Sequence, residues 1–432
     1  MSNSVPEGWV ESSLGNIADI RFSNVDKKSD FENEEPVKLC NYMDVYSNSK
    51  ITNSLPFMQA TAKDREIKKF SLLKNDVIIT KDSETPDDIA VSAYVSEDLK
   101  SVVCGYHLAM LRPEQSLISG EYLNHLFGLD DIQHYFYLLA NGITRFGLTT
   151  DAINNAYIIY PPLPEQKKIA AILTSVDTVI EKTQAQINKL KDLKTSMMQE
   201  LLTKGIGHTE FKDSPVGRIP VEWEVKIIGS LGSVITGSTP KTSNADNYNG
   251  SIPFISPADI CTGQSMHIEV TKSTISEEGL TNTRELPANS ICVVCIGSTI
   301  GKAAITISRC ATNQQINSIV CKNSYPEYVY YLMMYYAKSI KSEASTQAVP
   351  IINKSAFSAL LVQVPPLSEQ IKIGKIIKTI DDSLMTKQDK LSSLRNIKKA
   401  LMQDPVSYTH LRAHETGYWQ VILLYSLILL QK

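Results

Sequence analysis

The sequence lacks the features that define several protein classes. It has no excess of basic residues, because 43 lysines and arginines face 46 aspartates and glutamates and leave a formal net charge of −3. Composition therefore gives no support for nucleic-acid binding, and any basic surface must be local. The N-terminus has no apolar signal segment, and the apolar stretch Val421–Leu430 is too short to span a bilayer. These absences predict a cytoplasmic protein without membrane association.

Cysteine is too irregularly spaced for a disulfide framework or a zinc site. Of the seven cysteines, Cys292 and Cys295 form a Cys-x-x-Cys pair, and they lie within an apolar run that predicts a buried strand. No second pair of cysteines or histidines is spaced to complete a metal site. We therefore expect these cysteines to pack in a core, in a reducing compartment, with no metal bound.

Recognisable catalytic motifs are also missing. The segment Gly297–Lys302 (Gly-Ser-Thr-Ile-Gly-Lys) is similar to a phosphate-binding loop, but it has three residues between its glycines instead of four and no Ser or Thr after the lysine. We interpret it as a β-turn between apolar strands. The chain has no glycine-rich loop of the kind that holds S-adenosylmethionine and no carboxylate set typical of a nuclease. The sequence gives no reason to assign catalysis.

What the sequence does have is a duplication. Pro-Pro-Leu-Pro-Glu-Gln at 161–166 returns as Pro-Pro-Leu-Ser-Glu-Gln at 365–370, and each copy opens a long pattern of apolar residues at alternating steps of four and three. This spacing is typical of a coiled-coil seam. The seam positions are Ile169, Leu173, Val176, Ile180, Ile187 and Leu190 in the first copy and Ile373, Ile377, Ile380, Leu384, Leu391 and Leu394 in the second.

Polar interruptions of the two seams also fall in register. Thr183 corresponds to Lys387, and Lys194 corresponds to Lys398. We expect the two helices to pack antiparallel, with Lys194 and Lys398 at the edge of the seam, their stems buried and their ammonium groups in water.

The beginning of each unit repeats more faintly. Trp9 and its Leu-Gly follower match Trp223 and its Ile-Gly follower. The offset between these two tryptophans is larger than the offset between the two Pro-Pro motifs. The globular part of the second unit is therefore about ten residues shorter than that of the first, while the helix keeps its length.

These patterns predict an α/β (mixed α+β) fold with two globular domains in a pseudo-twofold arrangement, joined by two long antiparallel coiled-coil helices. Short apolar strands are expected at 77–79, 102–104, 156–160, 252–255 and 290–296, a helix at 120–139, a polar loop at 236–250, and a first long helix at about 165–203. The predicted division is 1–160 (first domain), 161–207 (first helical spacer), 208–218 (connector), 219–364 (second domain), 365–404 (second helical spacer) and 405–432 (atypical tail).

The tail does not continue the repeat. Pro405 falls where the first helix carries Leu201, so the second seam is truncated, and residues 407–416 resemble translated sequencing-adapter sequence. We exclude 405–432 from functional reasoning, with a genuine amphipathic tail as the alternative.

Several motifs in order resemble one known family. They are the two Trp-led unit starts, Thr236–Pro240, Ile252–Ile255, Gly297–Lys302, Ala311–Asn317 and the two Pro-Pro-Leu-x-Glu-Gln-x-x-Ile helices. Together, over residues 5–404, they resemble the specificity subunit of type I restriction–modification systems.

The resemblance implies two target-recognition domains, each reading one half of a bipartite site in double-stranded DNA. It also implies that the helices act as a ruler and dock two methyltransferase (modification) subunits, and that restriction/translocase subunits join the full complex. The subunit itself would be non-catalytic and bind no cofactor, with S-adenosylmethionine, ATP and magnesium on its partners. Because the second seam ends at Pro405, one docking surface is expected to lack its last turns.

Candidate DNA contacts are polar side chains in loops of each domain. Gln can pair with adenine, and Lys can reach guanine or a phosphate. The candidates are Thr239, Lys241, Ser298, Thr299, Lys302, Gln314 and Gln315 in the second domain, and Lys81, Thr144 and Arg145 in the first, which is acidic and lacks the Gly-Ser-Thr-Ile-Gly-Lys turn. The alternative is that they are solvated turn and strand residues.

Two other functions stay open on the sequence alone. The near-neutral charge is compatible with a coiled-coil scaffold that binds only proteins through two interaction modules. A nuclease or methyltransferase in its own right is disfavoured by the missing motifs.

Overall fold

The computed structural model describes residues 5–260, 265–344 and 349–403. The described residues divide into two compact units, the first within Met1–Glu181 and Ser392–Lys432 and the second within Lys182–Leu391. Each unit combines one globular part with segments of two long helices. The predicted mixed α+β class is confirmed. The predicted tail lies outside the described residues.

The first unit begins with twelve short strands and six short helices and leads into the first long helix. The strands are β1 (Val10–Ser13), β2 (Ala18–Phe22), β3 (Glu35–Cys40), β4 (Lys50–Ile51), β5 (Met58–Ala62), β6 (Val77–Thr80), β7 (Asp82–Ser83), β8 (Ser92–Val95), β9 (Val102–Cys104), β10 (Leu108–Pro113), β11 (Phe146–Gly147) and β12 (Tyr157–Tyr160). The helices are α1 (Leu14–Ile17), α2 (Tyr42–Tyr46), α3 (Asp64–Phe70), α4 (Gly120–Leu126), α5 (Asp130–Leu139), α6 (Thr150–Asn154) and the long α7 (Leu163–Lys204).

The second globular part follows the first long helix and leads into the second. Its strands are β13 (Phe211–Lys212), β14 (Ile219–Pro220), β15 (Glu224–Ile227), β16 (Gly232–Thr236), β17 (Tyr248–Ile255), β18 (His267–Ile268), β19 (Ser273–Ile275), β20 (Glu285–Leu286), β21 (Ile291–Val294), β22 (Ala303–Thr306), β23 (Cys310–Thr312), β24 (Ile316–Cys321) and β25 (Leu361–Val364). Its helices are α8 (Glu277–Thr281), α9 (Pro326–Tyr335), α10 (Ala337–Ser342), α11 (Lys354–Ala359) and the long α12 (Leu367–Gln403).

Three sheets of the first unit have a counterpart in the second. The main sheet has the order β2-β10-β6-β8-β4 in the first unit and β16-β24-β21-β22-β18 in the second. A second sheet is built on β5-β3-β9 and on β19-β17-β23-β20, and the strand after each Trp pairs with the strand before each Pro-Pro motif. Val10 pairs with Tyr160, and Glu224 pairs with Val364, so these strands reproduce both offsets of the sequence repeat residue by residue.

The central strands explain why the sequence shows short continuous apolar runs. Val77 and Ile79 of β6 face one core of the first unit, and Ile78 faces another. In β21, Ile291 and Val293 face one core of the second unit, while Cys292 faces another. A strand covered on both faces has no solvent side, so every position is apolar.

The Cys-x-x-Cys pair belongs to this core, as predicted. Cys292 and Cys295 are both buried, and burial raises the pKa of Cys292 to about 12 and that of Cys295 to about 11. Such thiols remain protonated, so they pack as small apolar groups. In the described part of the chain, His, Cys, Asp and Glu side chains nowhere gather in a group of three able to hold a metal ion.

Three local predictions need correction. The helix predicted at 120–139 is two helices, α4 and α5, because the chain turns at Gly128 and Gln133 Nε2 donates to the Phe127 carbonyl (2.6 Å). The strand β13 lies within the segment 208–218, which was predicted as a connector, and pairs antiparallel with β14; this pairing adds local structure to the connector. The loop predicted at 236–250 contains a short 3-10 helix (Ala245–Asn247) and the first residues of β17.

The start of each long helix is fastened by the glutamine of the Pro-Pro-Leu-x-Glu-Gln motif. The buried Gln166 donates to the Pro161 carbonyl (2.8 Å) and accepts from the Ser119 N–H (2.9 Å). The buried Gln370 donates to the Pro365 carbonyl (2.9 Å) and accepts from the Tyr325 N–H (2.9 Å). The repeated motif therefore locks a helix start to its own globular part.

The two long helices run antiparallel within each unit. In the second unit, Lys194 pairs with Asp381 (2.6 Å), and Glu369 accepts from the Ile206 N–H (2.9 Å), so positions rise along α7 as they fall along α12. In the first unit, Lys398 pairs with Asp177 (2.6 Å), and Met402 packs against the core that contains Ile169.

The predicted seam positions are buried or half-buried, and none is exposed. The buried ones are Ile169, Leu173, Ile187, Ile373, Ile377, Leu384, Leu391 and Leu394, and the half-buried ones are Val176, Ile180, Leu190 and Ile380. The expectation for the two lysines was wrong in one respect. Their ammonium groups bind Asp381 and Asp177 instead of remaining in water, because a carboxylate lies opposite each lysine.

Candidate nucleic-acid interface

The turn between β23 and β24 presents two of the predicted contacts. Gln314 is exposed and Gln315 is half-buried. Thr239 Oγ1 donates to Gln314 Oε1 (2.8 Å), and Asn313 Nδ2 donates to Gln315 Oε1 (3.0 Å). Each glutamine therefore has its oxygen engaged by the protein, which orients the amide while its NH₂ keeps donors that could meet a base edge.

The loop after β16 is held against this turn. A Cβ at Gly237 would lie 2.2 Å from the Asn313 carbonyl oxygen, so only glycine permits the close approach. Arg284 Nη1 donates to the Thr236 carbonyl (2.6 Å). Arg284 is an exposed cation next to the candidate loop that the sequence did not single out. The predicted contact Lys241 is exposed on the same loop.

The segment Gly297–Lys302 is a turn between the antiparallel strands β21 and β22, which confirms the β-turn interpretation. Gly297 (φ +99°) and Gly301 (φ +90°) have the left-handed backbone that glycine favours. A Cβ at Gly297 would lie 4.0 Å from Gln315 Nε2, which places the beginning of the turn next to the glutamine pair. Ser298 is exposed and Thr299 is half-buried.

Lys302, at the other end of this turn, is directed elsewhere. It lines a cavity of about 270 Å³ together with Lys194, Asp381 and Tyr330, and none of the other candidate DNA contacts lines that cavity. The structure therefore brings Thr239, Gln314 and Gln315 together but does not bring Lys302 to them.

One predicted contact of the first unit, Arg145, binds the carboxylate of Asp82. Arg145 Nη2 donates to Asp82 Oδ1 (3.1 Å), and His107 Nδ1 lies 2.9 Å from Asp82 Oδ2. The neighbouring Lys81 donates through Nζ to the Ser23 carbonyl (3.0 Å), and its burial lowers its pKa. Thr144 is exposed in the segment that leads to Arg145.

A ring neighbour completes this cluster. Lys81 Nζ lies 4.6 Å from the centroid of the Tyr106 ring, and that ring meets His107 edge-on at 5.0 Å. Sequence reasoning missed both Tyr106 and His107. They could have been found from the offset that aligns the sequences of the two units at this turn. That offset is intermediate between the offset of the two Trp-led starts and the offset of the two Pro-Pro motifs.

A comparison with known proteins identifies the family. The model described as the type I restriction modification DNA specificity domain matches residues 6–192 and, a second time, residues 220–395. The chain belongs to this family.

Relatives within the specificity-domain family match along nearly the whole chain. The chain is similar to the putative type I restriction enzyme MjaX specificity subunit of Methanocaldococcus jannaschii, with 24% identity over 92% of each chain. It is also similar to the type I restriction enzyme HindI specificity subunit of Haemophilus influenzae, with 25% identity over 90% of this chain and 97% of the relative.

Solved structures show the same fold. The type I restriction–modification S subunit from M. genitalium matches with a TM-score of 0.59 and 15% identity, over 93% of this chain and 96% of that chain. A chain from a structure of the type I R-M system, reported for its complex assembly and conformational transition, matches with a TM-score of 0.51 and 17% identity, over 93% and 98%. Within the described ranges, every helix is too short or too polar to cross a bilayer.

Proposed function

We infer that this chain is the sequence-reading specificity subunit of a type I restriction–modification complex. The observation that carries the inference is the duplication: one α/β unit occurs twice with matching strand registers, and the family model matches each copy.

The two units suit a bipartite DNA site. Each unit offers an exposed polar cluster, one around Gln314 and one around Arg145. Two small readers in one molecule multiply their selectivity, because binding of the first raises the effective concentration of the second. Local cations such as Arg284 and Arg145 supply phosphate or guanine contacts that the net charge of −3 does not suggest.

Catalysis and its cofactors belong to the partners in this proposal. Two methyltransferase subunits would dock on the helical segments and bring S-adenosylmethionine, and restriction/translocase subunits would bring ATP and magnesium. The subunit itself would act by positioning them on DNA, in the cytoplasm. Methyl transfer to DNA by the purified chain alone would contradict this part.

An exchange of one reader tests the proposal. Residues 219–364 would be replaced by the matching segment of a relative with a different recognition sequence, and methylated sites would be mapped in a host that also supplies the methyltransferase. One half-site should change and the other should remain. A change in both half-sites would contradict independent reading by the two units.

Salt dependence separates this function from a protein-only scaffold. Affinity for DNA that depends on phosphate contacts should fall steeply with salt concentration. Absence of DNA binding by the complex at low salt, with intact assembly, would favour the scaffold.

A further inference from the structure

The turn before β10 in the first unit has the same backbone frame as the turn before β24 in the second. Each turn follows a strand that pairs in parallel with a neighbour, β9 with β3 and β23 with β17. Three backbone hydrogen bonds match. Gly105 N to Cys40 O (2.9 Å) in the first unit corresponds to Asn313 N to Ile255 O (3.0 Å) in the second, and Lys81 N to His107 O (3.1 Å) corresponds to Cys295 N to Gln315 O (2.8 Å). The third pair is Leu108 N to Gly105 O (3.1 Å) and Ile316 N to Asn313 O (3.2 Å).

This frame fixes a residue-by-residue correspondence. Tyr106 occupies the place of Gln314, and His107 occupies the place of Gln315. The exposure agrees as well, because the first residue of each pair is exposed and the second is half-buried. Tyr106 is 51% exposed, which is unusual for a large aromatic side chain with a core available nearby.

The surroundings orient these two side chains without covering them. The Lys81 ammonium group lies near the face of the Tyr106 ring, a cation–π contact that limits the motion of the ring. Asp82 Oδ2 lies 2.9 Å from His107 Nδ1, closer than Arg145 Nη2 at 3.3 Å. A carboxylate can only accept, so Nδ1 carries a proton, and Nε2 is the acceptor when the ring is neutral. Arg145 neutralises the same carboxylate, which would otherwise repel DNA.

We propose that Tyr106 and His107 are the side chains with which the first unit reads its half of the DNA site. The proposal rests on the function inferred above and deepens it by assigning the residues. When its ring is neutral, His107 offers Nε2 as an acceptor to the amino group of adenine or cytosine, and Tyr106 offers a hydroxyl and a ring face. Arg145 is then placed for guanine or a phosphate beside them. Lys81 and Asp82 are positioning residues.

The test is methylation mapping with His107→Ala and Tyr106→Ala in the full chain with its methyltransferase. Each variant should relax one base position of a single half-site, with discrimination at that position reduced roughly 10- to 100-fold. Gln315→Ala should relax the other half-site. Loss of discrimination at one position, with the spacer and the second half-site unchanged, is not expected from a merely structural role.

The first unit offers a matched control. His134 and Tyr137 of α5 also form a neighbouring ring pair (6.0 Å), and Tyr137 is 44% exposed. His134→Ala and Tyr137→Ala should leave the methylated sequence unchanged. Should either alanine variant of the turn fail to fold, His107→Gln and Tyr106→Gln install the side chains that the second unit carries on the same frame.

The outcomes distinguish this inference from the proposed function. If the unaltered chain directs methylation to a bipartite site and Gln315→Ala relaxes one half, but no change at Tyr106 or His107 affects the other half, the assignment is wrong and the function stands. If the unaltered chain directs no sequence-specific methylation, the proposed function itself fails.

Discussion

Removal of the Asp381 charge should lower the stability of the second unit far more than removal of the charge of its neighbour Asp382. Asp381 binds Lys194 (2.6 Å) and accepts from the buried Tyr331 hydroxyl (2.8 Å), and its side chain is 17% exposed. Asp382 pairs with Lys378 one helical turn away and is 59% exposed. The two carboxylates therefore differ in burial and in partners while they share a helix.

The magnitude follows from these contacts. A broken buried ion pair costs about 3–5 kcal/mol and an exposed one about 0.2–1 kcal/mol, so the half-buried pair at Asp381 is worth about 2 kcal/mol. Loss of the charged acceptor for Tyr331 adds about 0.5–1 kcal/mol. Asp381→Asn should thus cost about 2–3 kcal/mol, and Asp382→Asn at most about 0.5 kcal/mol. Asp381→Ala should cost about 1 kcal/mol more, because the Tyr331 hydroxyl then has no acceptor there.

Urea denaturation followed by Trp223 fluorescence measures the difference. Trp9→Phe and Trp419→Phe would leave Trp223, which is buried in the core of the second unit, as the reporter. With a slope of about 2–3 kcal/mol per molar urea, the midpoint for Asp381→Asn should fall by about 1 M. Equal shifts for Asp381→Asn and Asp382→Asn would refute the reasoning, as would an undiminished effect of Asp381→Asn in a Lys194→Met background.

Three further predictions concern the helices. Burial, with a smaller contribution from Lys398, lowers the pKa of His125 to about 4, so the unfolded chain binds a proton near pH 6.5 that the native unit excludes. Acidification from pH 7 to 4 should therefore destabilise the first unit by up to about 3 kcal/mol. His125→Gln should remove this dependence when unfolding is measured as a function of pH. Gln370→Ala should cost about 2–3 kcal/mol in the same urea assay, because it removes the partner of the buried Pro365 carbonyl and of the half-buried Tyr325 N–H. The matched change at the exposed Gln199, Gln199→Ala, should be nearly neutral. Insertion of four residues after Leu190 and four after Leu394 adds about 6 Å of helix, so methylation mapping should show a spacer longer by one or two base pairs with both half-sites unchanged; a fixed spacer would contradict a helical ruler.

The repeated parts of the fold were predictable because they leave a periodic signal. The seam residues and the Pro-Pro-Leu-x-Glu-Gln motif recur at a constant offset, since a helix tolerates no net insertion without a change of face. The buried strand β6 appears as the apolar run 77–79 because both of its faces are covered. The seam could be written down from these patterns residue by residue.

Tertiary partners were not visible in the same way. The break at Gly128 interrupts an apolar pattern that continues with helical spacing on both sides, so periodicity alone joins α4 and α5. The carboxylates opposite Lys194 and Lys398 lie in the other helix, and only the antiparallel pairing brings Asp381 and Asp177 to them.

The reading turn of the first unit was hidden by changes in loop length. From β6 onward, the offset between matching strand positions of the two units becomes smaller from one strand to the next. In chain order, the matching positions are Val77 and Ile291, Tyr94 and Ile305, Leu111 and Ile319, and Tyr160 and Val364. The difference in length is therefore spread over several loops. Neither the offset of the two Trp-led starts nor that of the two Pro-Pro motifs aligns Tyr106 with Gln314. The alignment requires an intermediate offset, which only the strand registers supply.

Methylome sequencing of a host that carries this chain with its methyltransferase tests the central claim most directly. Two readers in one chain predict a bipartite motif: two short, unrelated half-sites separated by a fixed number of unspecified base pairs, with methylation in both strands. A single continuous motif, or methylation without sequence preference, would contradict the account.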